Sequence, residues 1–330
     1  MQLENVNELL IVRLSSLGDI LLTTPLIRSI KQKHPAVKID FVLREEYRDL
    51  LKLNPHVENV FLYPRNKKKI KLLKEKICNN NYDLILDLQN NIRSSGLLRC
   101  YGSSTVGFEK KHFDKFLLVN FKINRLKDTM HVSERYASTL KNFELDEKGP
   151  ELITDKLANS DILGIDNLVG ICPGSKHFTK MWPEENYIQL GKLLERNGYT
   201  VVLLGGKEDT QICRKIVSNL ASAINLSNDN DILQTAADMK MCEAIYCNDS
   251  GLMHTATAVS VPVIAFFGST VREFGFAPYN SINIILENNS LSCRPCTHIG
   301  RSSCPKKHFK CMKEISAELA FTQLELIKTQ

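Results

Sequence analysis

The stretch Val12-Arg-Leu-Ser-Ser-Leu-Gly18-Asp19-Ile-Leu-Leu-Thr-Thr24-Pro25 decides the fold. It continues a β-rich run over Glu8–Leu14 and opens a helical pattern over Gly18–Lys33, with Ile20, Leu21, Ile27 and Ile30 on one face. A strand therefore runs into a helix through a small-residue turn that bears one carboxylate. Asp249-Ser250-Gly251-Leu-Met-His254 repeats the device some 230 residues later. Two such turns predict an α/β protein of two Rossmann-like, doubly wound halves that face each other across a cleft.

The rest of the chain keeps the same rhythm. Strands are expected at Val37–Val42, Val57–Leu62 and Asp83–Leu88, with helices at Glu45–Leu53, Lys67–Asn79 and Ser94–Cys100. The pattern weakens between Lys141 and Asp166, around Gly149-Pro150, and then resumes. Strands at Leu168–Cys172, Thr200–Leu204, Ala244–Cys247 and Val261–Phe267 alternate with helices, and Met312–Lys328 reads as a final amphipathic helix. Two domains, 1–155 and 156–330, follow, as a length of 330 residues also predicts.

Composition narrows the class. With 43% hydrophobic and 24% charged residues the chain reads as globular, and no apolar run approaches the roughly 20 residues that span a bilayer. The acidic start and the charges at Arg13 and Asp19 argue against a signal peptide, so the cytoplasm is the expected compartment. Residues 1–150 hold 26 Lys+Arg against 18 Asp+Glu, a net +8, whereas 151–330 hold 17 against 19, a net −2. The excess gathers at Arg65-Asn-Lys67-Lys68-Lys69-Ile-Lys71 with Lys74 and Lys76. An anionic partner of the first half and a merely solvated helix face both account for it.

Ten cysteines in a cytoplasmic protein are expected reduced or metal-bound rather than bridged. Cys172, Cys242 and Cys247 lie in apolar contexts that read as core. Cys293, Cys296, Cys304 and Cys311 cluster with His298 and His308 between them, and four thiolates can close a structural zinc site. Their spacing has no second Cys-x2-Cys pair, so reduced thiols packing a loop are the alternative.

Three turns carry chemistry. Asp19 follows a parallel strand, beside Gly18, where ligands of such sheets bind. In Val169-Gly-Ile-Cys-Pro173-Gly174-Ser175-Lys176-His-Phe-Thr-Lys180-Met-Trp182-Pro183 a strand enters a Pro-Gly-Ser turn followed by two lysines, which together make an anion cradle. It is not a Walker loop. Trp182 reads as a core anchor. Asn248 and Asp249 end a strand where Ser250 and Gly251 open a helix, and His254, one turn on, suits a ligand contact and a buried structural role equally. Gly205-Gly206-Lys207-Glu208-Asp209 closes another strand with acids placed to meet a ribose.

In order, these stretches resemble glycosyltransferase family nine, the lipopolysaccharide heptosyltransferases. Asp83-Leu-Ile-Leu-Asp87-Leu-Gln89-Asn-Asn-Ile-Arg93-Ser94 and Val106-Gly107-Phe108 add to the likeness. The resemblance implies a glycosyltransferase-B fold, with an acceptor-binding first domain and a nucleotide-sugar-binding second domain. It implies an ADP-heptose donor, an anionic glycolipid acceptor in the lipopolysaccharide inner core, and no required cofactor. Asp19 would be the general base of an inverting transfer. Gly174, Ser175, Lys176, Lys180, Asp209, Asp249, Ser250, Gly251 and His254 would hold the donor; Gly18, Gln89 and Arg93 would line the acceptor side. Lys176 stands where a hydroxyl residue is common in the family. Peripheral contact with the inner membrane would follow from the basic first half.

Alternatives are another nucleotide sugar or acceptor, and a non-catalytic binder of nucleotide or glycan. Retention of Asp19 together with the phosphate lysines speaks against a pure binder. A nicotinamide dehydrogenase lacks its Gly-x-Gly-x-x-Gly after the first strand. Nucleic-acid binding accounts for the basic half but not for the Asp19 and Asp249 turns.

Overall fold

The computed structural model describes residues 3–127 and 130–329. The first elements are β1 (Glu8–Val12), α1 (Leu17–Leu21), α2 (Thr24–Lys33), β2 (Lys38–Arg44), β3 (Asn59–Tyr63) and α3 (Lys67–Cys78). There follow β4 (Leu84–Asp87), α4 (Ile92–Leu97), β5 (Thr105–Gly107), α5 (His112–Phe121) and α6 (Val132–Ala137). Next come β6 (Leu168–Cys172), α7 (Glu184–Arg196), β7 (Thr200–Leu203), α8 (Thr210–Val217), β8 (Ile224–Asn225) and α9 (Ile232–Met239). The chain closes with β9 (Ala244–Asn248), α10 (Gly251–Ala258), β10 (Val263–Phe267), β11 (Asn283–Glu287), α11 (Lys310–Lys313) and α12 (Ala317–Lys328).

Two compact units result, Met1–Lys110 with Met130–Ile153, and Lys111–Thr129 with Thr154–Gln330. The segment carrying α5 thus belongs with the second unit, whereas a single break after residue 155 would have left it in the first. Each unit holds one sheet, in the orders β3-β2-β1-β4-β5 and β11-β10-β9-β6-β7-β8. Every strand pair is parallel. Central strands β4, β6, β9 and β10 are buried along their whole length, as a sheet covered on both faces requires.

The long helix expected over Gly18–Lys33 is two helices. Pro25, in the first turn of α2, has no N–H to continue the ladder, so the chain turns at Leu22 and Thr23 and restarts. Residues 144–151, where the alternation weakens, are held firmly to α2. Arg28 pairs with Asp146 at 2.6 Å and Glu151 at 2.9 Å, while Thr24 Oγ1 accepts from the Glu151 amide at 2.8 Å.

One expectation about cysteine is corrected. Cys78 and Cys100 form a disulfide, with their Cα atoms 6.0 Å apart. Tyr101 donates from its hydroxyl to the carbonyl of Ile77 at 2.6 Å and its ring meets Tyr82 at a tilt, which brings the end of α3 beside the segment after α4. Nothing in a spacing of 22 residues announces that meeting. Cys172, Cys242 and Cys247 are buried core residues, as expected.

Trp182 is the anchor of the second unit. It is 1% exposed, lies on Phe266 with centroids 4.1 Å apart, meets Tyr187 edge-on, and donates from Nε1 to the Ile315 carbonyl at 3.0 Å. Trp182→Ala is expected to cost about 3–5 kcal/mol, from the cavity it leaves. Urea unfolding followed by circular dichroism checks this; a loss below about 1 kcal/mol would show that the site collapses without penalty.

Candidate functional site

In the first sheet strand order reverses between β1 and β4, and the carboxyl ends of those strands frame a site. Gln89, after β4, reaches across the reversal. Its Oε1 accepts from the amides of Leu14 at 2.9 Å and Ser15 at 3.2 Å, so the side chain shapes the turn that presents Asp19. Asp87 is buried and accepts from the amides of Gln89 and Asn90 and from the Ser94 hydroxyl at 2.8 Å. Burial raises its carboxyl above the ordinary value despite those bonds.

Asp19 is held on both oxygens. Arg13 Nη2 meets Oδ1 at 2.6 Å, and Ser16 donates to Oδ2 from its amide at 3.0 Å and its hydroxyl at 2.6 Å. Arg13 is itself fixed by donation to the Leu88 carbonyl at 2.6 Å and lies over the Tyr136 ring. Burial alone would push the Asp19 carboxyl up. The charge of Arg13 and the Ser16 bonds outweigh it, and the carboxyl ends below its usual range. Lys110 shares this neighbourhood: burial first, and then repulsion from Arg13, lowers its ammonium. Gly18 is buried in α1, whereas Arg93 is exposed on α4 and stands apart from the Asp19 bonds.

The second sheet reverses between β6 and β9. Here Asn248, at the end of β9, does the bridging. Its Nδ2 donates to the carbonyls of Pro173 at 2.8 Å and Gly174 at 3.2 Å; its Oδ1 accepts from the Trp182 amide and the Tyr187 hydroxyl. The loop with the two lysines is thereby tied to the Asp249 turn. Lys180 pairs with Asp249 at 2.7 Å, and Thr270 donates to the same carboxylate oxygen at 2.6 Å. The Ser250 hydroxyl is buried without a hydrogen-bond partner, one of the few such groups among the described residues. A buried hydroxyl left unpaired at a helix start is a site that a ligand can complete. Gly251 opens α10, and His254 within it is 5% exposed. Ser175 is half-buried, and Lys176 is exposed.

Asp209 lies against this loop. A Cβ at Gly174 would run into its Oδ1, so the glycine is required by the carboxylate. The Gly206 amide donates to Asp209 Oδ2 at 3.0 Å, yet burial keeps the carboxyl above the ordinary value.

Zinc and packed thiols are the two readings of the cysteine loop, and the thiols of Cys293, Cys296 and Cys304 lie near enough to Cys311 to act on it electrostatically. Among the described residues no group of three or more His, Cys, Asp or Glu side chains is placed to hold an ion. Cys311 is turned into the core cluster of the second unit, where burial pushes its thiol up to about 11. Cys293 instead meets His308 Nε2 at 3.9 Å. The loop is organised by Arg294, which donates to the carbonyls of Phe267, Gly268 and Thr270 and pairs with Glu287 at 2.9 Å. Thr179 and Arg301 exchange backbone and hydroxyl bonds, so this loop also buttresses the lysine-bearing one. Neither Arg13 nor Arg294 stands out in the sequence, since a lone arginine beside a strand carries no periodic signal.

Comparison with known proteins gives a consistent result. The model of glycosyltransferase family 9 (heptosyltransferase) matches residues 70–307, a stretch that includes Gln89 and the Pro173 and Asp249 turns and begins after Asp19. The chain is 28% identical over 296 residues to lipooligosaccharide heptosyltransferase 2 of Haemophilus ducreyi, covering 81% of this chain and 85% of that one. Its fold is similar to a family 9 glycosyl transferase from Veillonella parvula, with TM-score 0.79 and 22% identity over 100% of this chain and 99% of that one. It is also similar to the E. coli ADP-heptose lipopolysaccharide heptosyltransferase II, with TM-score 0.73 and 22% identity over 98% and 99%.

The Arg13–Asp19 pair has a pH signature. A carboxyl depressed on folding adds stability above its unfolded value of about 4 and loses it as pH falls through the lower folded value. In Arg13→Met the burial effect should dominate, moving the Asp19 titration to above about 4. Carbon-13 NMR titration of the carboxyl checks this, and a midpoint still below about 4 in the variant would remove Arg13 as the cause.

Proposed function

The chain belongs to glycosyltransferase family 9 (heptosyltransferase), and on that premise we propose that it moves a heptose from ADP-heptose to the lipopolysaccharide inner core with inversion at the anomeric carbon. What carries the proposal is the setting of Asp19: a carboxylate at a strand-order reversal, kept ionised by Arg13 and aimed by Ser16.

The acceptor hydroxyl attacks the anomeric carbon and its proton passes to Asp19. The bond from that carbon to the donor phosphate oxygen breaks, and ADP leaves with the electron pair. A carboxylate held below its usual pKa is a weak base toward a resting alcohol. The hydroxyl becomes acidic only as the new bond forms, so fixed position matters more here than basicity. Arg13 gives Asp19 that position. Gln89 sets the turn behind it, and with Gly18 and Arg93 is assigned to the acceptor side.

On the donor side Ser175, Lys176 and Lys180, with the amides of Ser250 and Gly251 at the start of α10, are assigned the diphosphate. Asp209 and its neighbour Glu208 are assigned the ribose, and His254 the sugar end of the donor. These groups supply the positive potential that meets charge developing on ADP, so the mechanism calls on no cofactor. Asp249 holds Lys180 in reserve, and the diphosphate competes for that ammonium when the donor arrives. Basic α3, with Lys67, Lys68 and Lys69 exposed, is assigned the electrostatic attraction to an anionic acceptor at the cytoplasmic face of the inner membrane.

Asp19→Asn should bind donor normally yet lose transfer by about 100-fold or more, the scale of acid–base catalysis. ADP-heptose turnover on heptose-deficient lipopolysaccharide measures this, and near-normal turnover would take the base role from Asp19. Lys180→Met should weaken ADP binding by about tenfold or more in calorimetric titration, as loss of a charged hydrogen bond implies. Tighter binding of UDP or GDP than of ADP by the unaltered protein would replace the proposed donor.

A further inference from the structure

We propose that the outer face of α5 is a docking surface for an anionic phospholipid bilayer. The inference goes beyond the transfer reaction and depends on neither the donor nor the base. Sequence and packing both lead to it. In Lys111-His-Phe113-Asp-Lys115-Phe116-Leu-Leu-Val-Asn-Phe121-Lys-Ile123-Asn-Arg125-Leu-Lys127, positions 113, 116, 120 and 121 fall on one side of a helix. The opposite side carries Leu118, which is buried with Leu126 against Val271 and Phe274. Lys122 fastens the end of the helix by donating to the carbonyls of Val119, Cys293 and Pro295, the last at 2.6 Å. Lys115 lies over the Phe276 ring at 5.5 Å. The helix is therefore seated from within, and its other face is left outside.

That outside face is apolar. Phe113, Phe116, Phe121 and Ile123 are 63%, 52%, 62% and 50% exposed. Three of the four exposed phenylalanines among the described residues lie in this short run, the fourth being Phe178. Phe116 and Phe121 pack edge to face at 5.9 Å in the open, so they form a patch rather than scattered contacts. Residues 111–127 carry five Lys and Arg (Lys111, Lys115, Lys122, Arg125, Lys127) and one acid, Asp114, a net +4, with Arg125 and Lys127 exposed.

Charge selects the occupant. A second copy of the chain meeting this face symmetrically would set the same positive rim against itself. A bilayer with anionic headgroups complements the rim and takes the rings at its acyl boundary. At ten residues, roughly 15 Å, the helix is too short to cross and suits lying in the interface. No helix among the described residues is long and apolar enough to span a membrane.

Co-sedimentation of the full chain with phosphatidylglycerol–phosphatidylcholine vesicles tests the proposal, with no nucleotide or acceptor present. The unaltered protein should bind these and not phosphatidylcholine alone. The combined variant Phe113→Ser, Phe116→Ser, Phe121→Ser should bind about tenfold more weakly or worse, since affinity scales with the apolar area inserted. Phe116→Trp keeps the apolar bulk and reports on insertion directly, because Trp182 is 1% exposed and supplies a constant background. Its emission should shift to the blue on anionic vesicles. Serine substitutions without effect on binding, or a tryptophan emission that vesicles leave unmoved, would overturn the proposal. A vesicle-free dimer that the serine substitutions dissociate would give the face to a second copy instead.

Discussion

A parallel sheet whose strand order reverses leaves backbone groups at the ends of two diverging strands with no neighbour to satisfy them, and both units answer with one side-chain amide. In the first, Gln89 spans from β4 to the amides that follow β1. In the second, Asn248 spans from β9 to the carbonyls that follow β6 and receives the Trp182 amide in return. Buried backbone polar groups must be paired, so these amides are structural necessities first. They also set where the neighbouring carboxylates stand. Asp19 and Asp249 owe their positions to turns that would be shaped differently without them.

The two carboxylates have unlike surroundings. Asp19 is held on both oxygens by Arg13 and Ser16, whose charge and hydrogen bonds outweigh the burial that would raise its carboxyl. Asp249 shares one oxygen between Lys180 and Thr270, so it keeps an ammonium near the unpartnered Ser250 hydroxyl. The first arrangement fixes an anion; the second pairs an ammonium with the carboxylate that precedes that hydroxyl. On the proposed function, the first stands where the nucleophile loses its proton and the second where the leaving group gains charge.

Much of this was legible from residues alone, for definite reasons. Continuous apolar runs such as Val169–Cys172 and small-residue turns such as Asp249-Ser250-Gly251 announce buried parallel strands and the helix starts that follow them. The split of the helix at Pro25 was equally visible in principle, because a proline so early in a helix starts one more often than it sits inside one. Other features carry no local signal. β5 has three residues and β8 has two, too few for periodicity to speak. Arg13, Arg294 and Thr270 earn their places through partners distant in the chain, and Gly174 owes its identity to Asp209, 35 residues on. The Cys78–Cys100 bridge is of the same kind, a product of how α3 and the segment after α4 come to lie side by side.

The cysteine loop is organised by a side chain that its spacing does not announce. Four thiols stand there at short intervals, and the backbone around them is held by a guanidinium. Arg294 donates to the carbonyls of Phe267, Gly268 and Thr270 just past β10, and its planar fork meets acceptors in several directions at once where an ammonium would serve fewer. Thr179 then joins the loop to the lysine-bearing turn, and Phe178 stacks on Phe309 at 4.8 Å. The carboxyl-terminal loop is therefore part of what shapes the lysine-bearing turn, and it bears on that turn through packing.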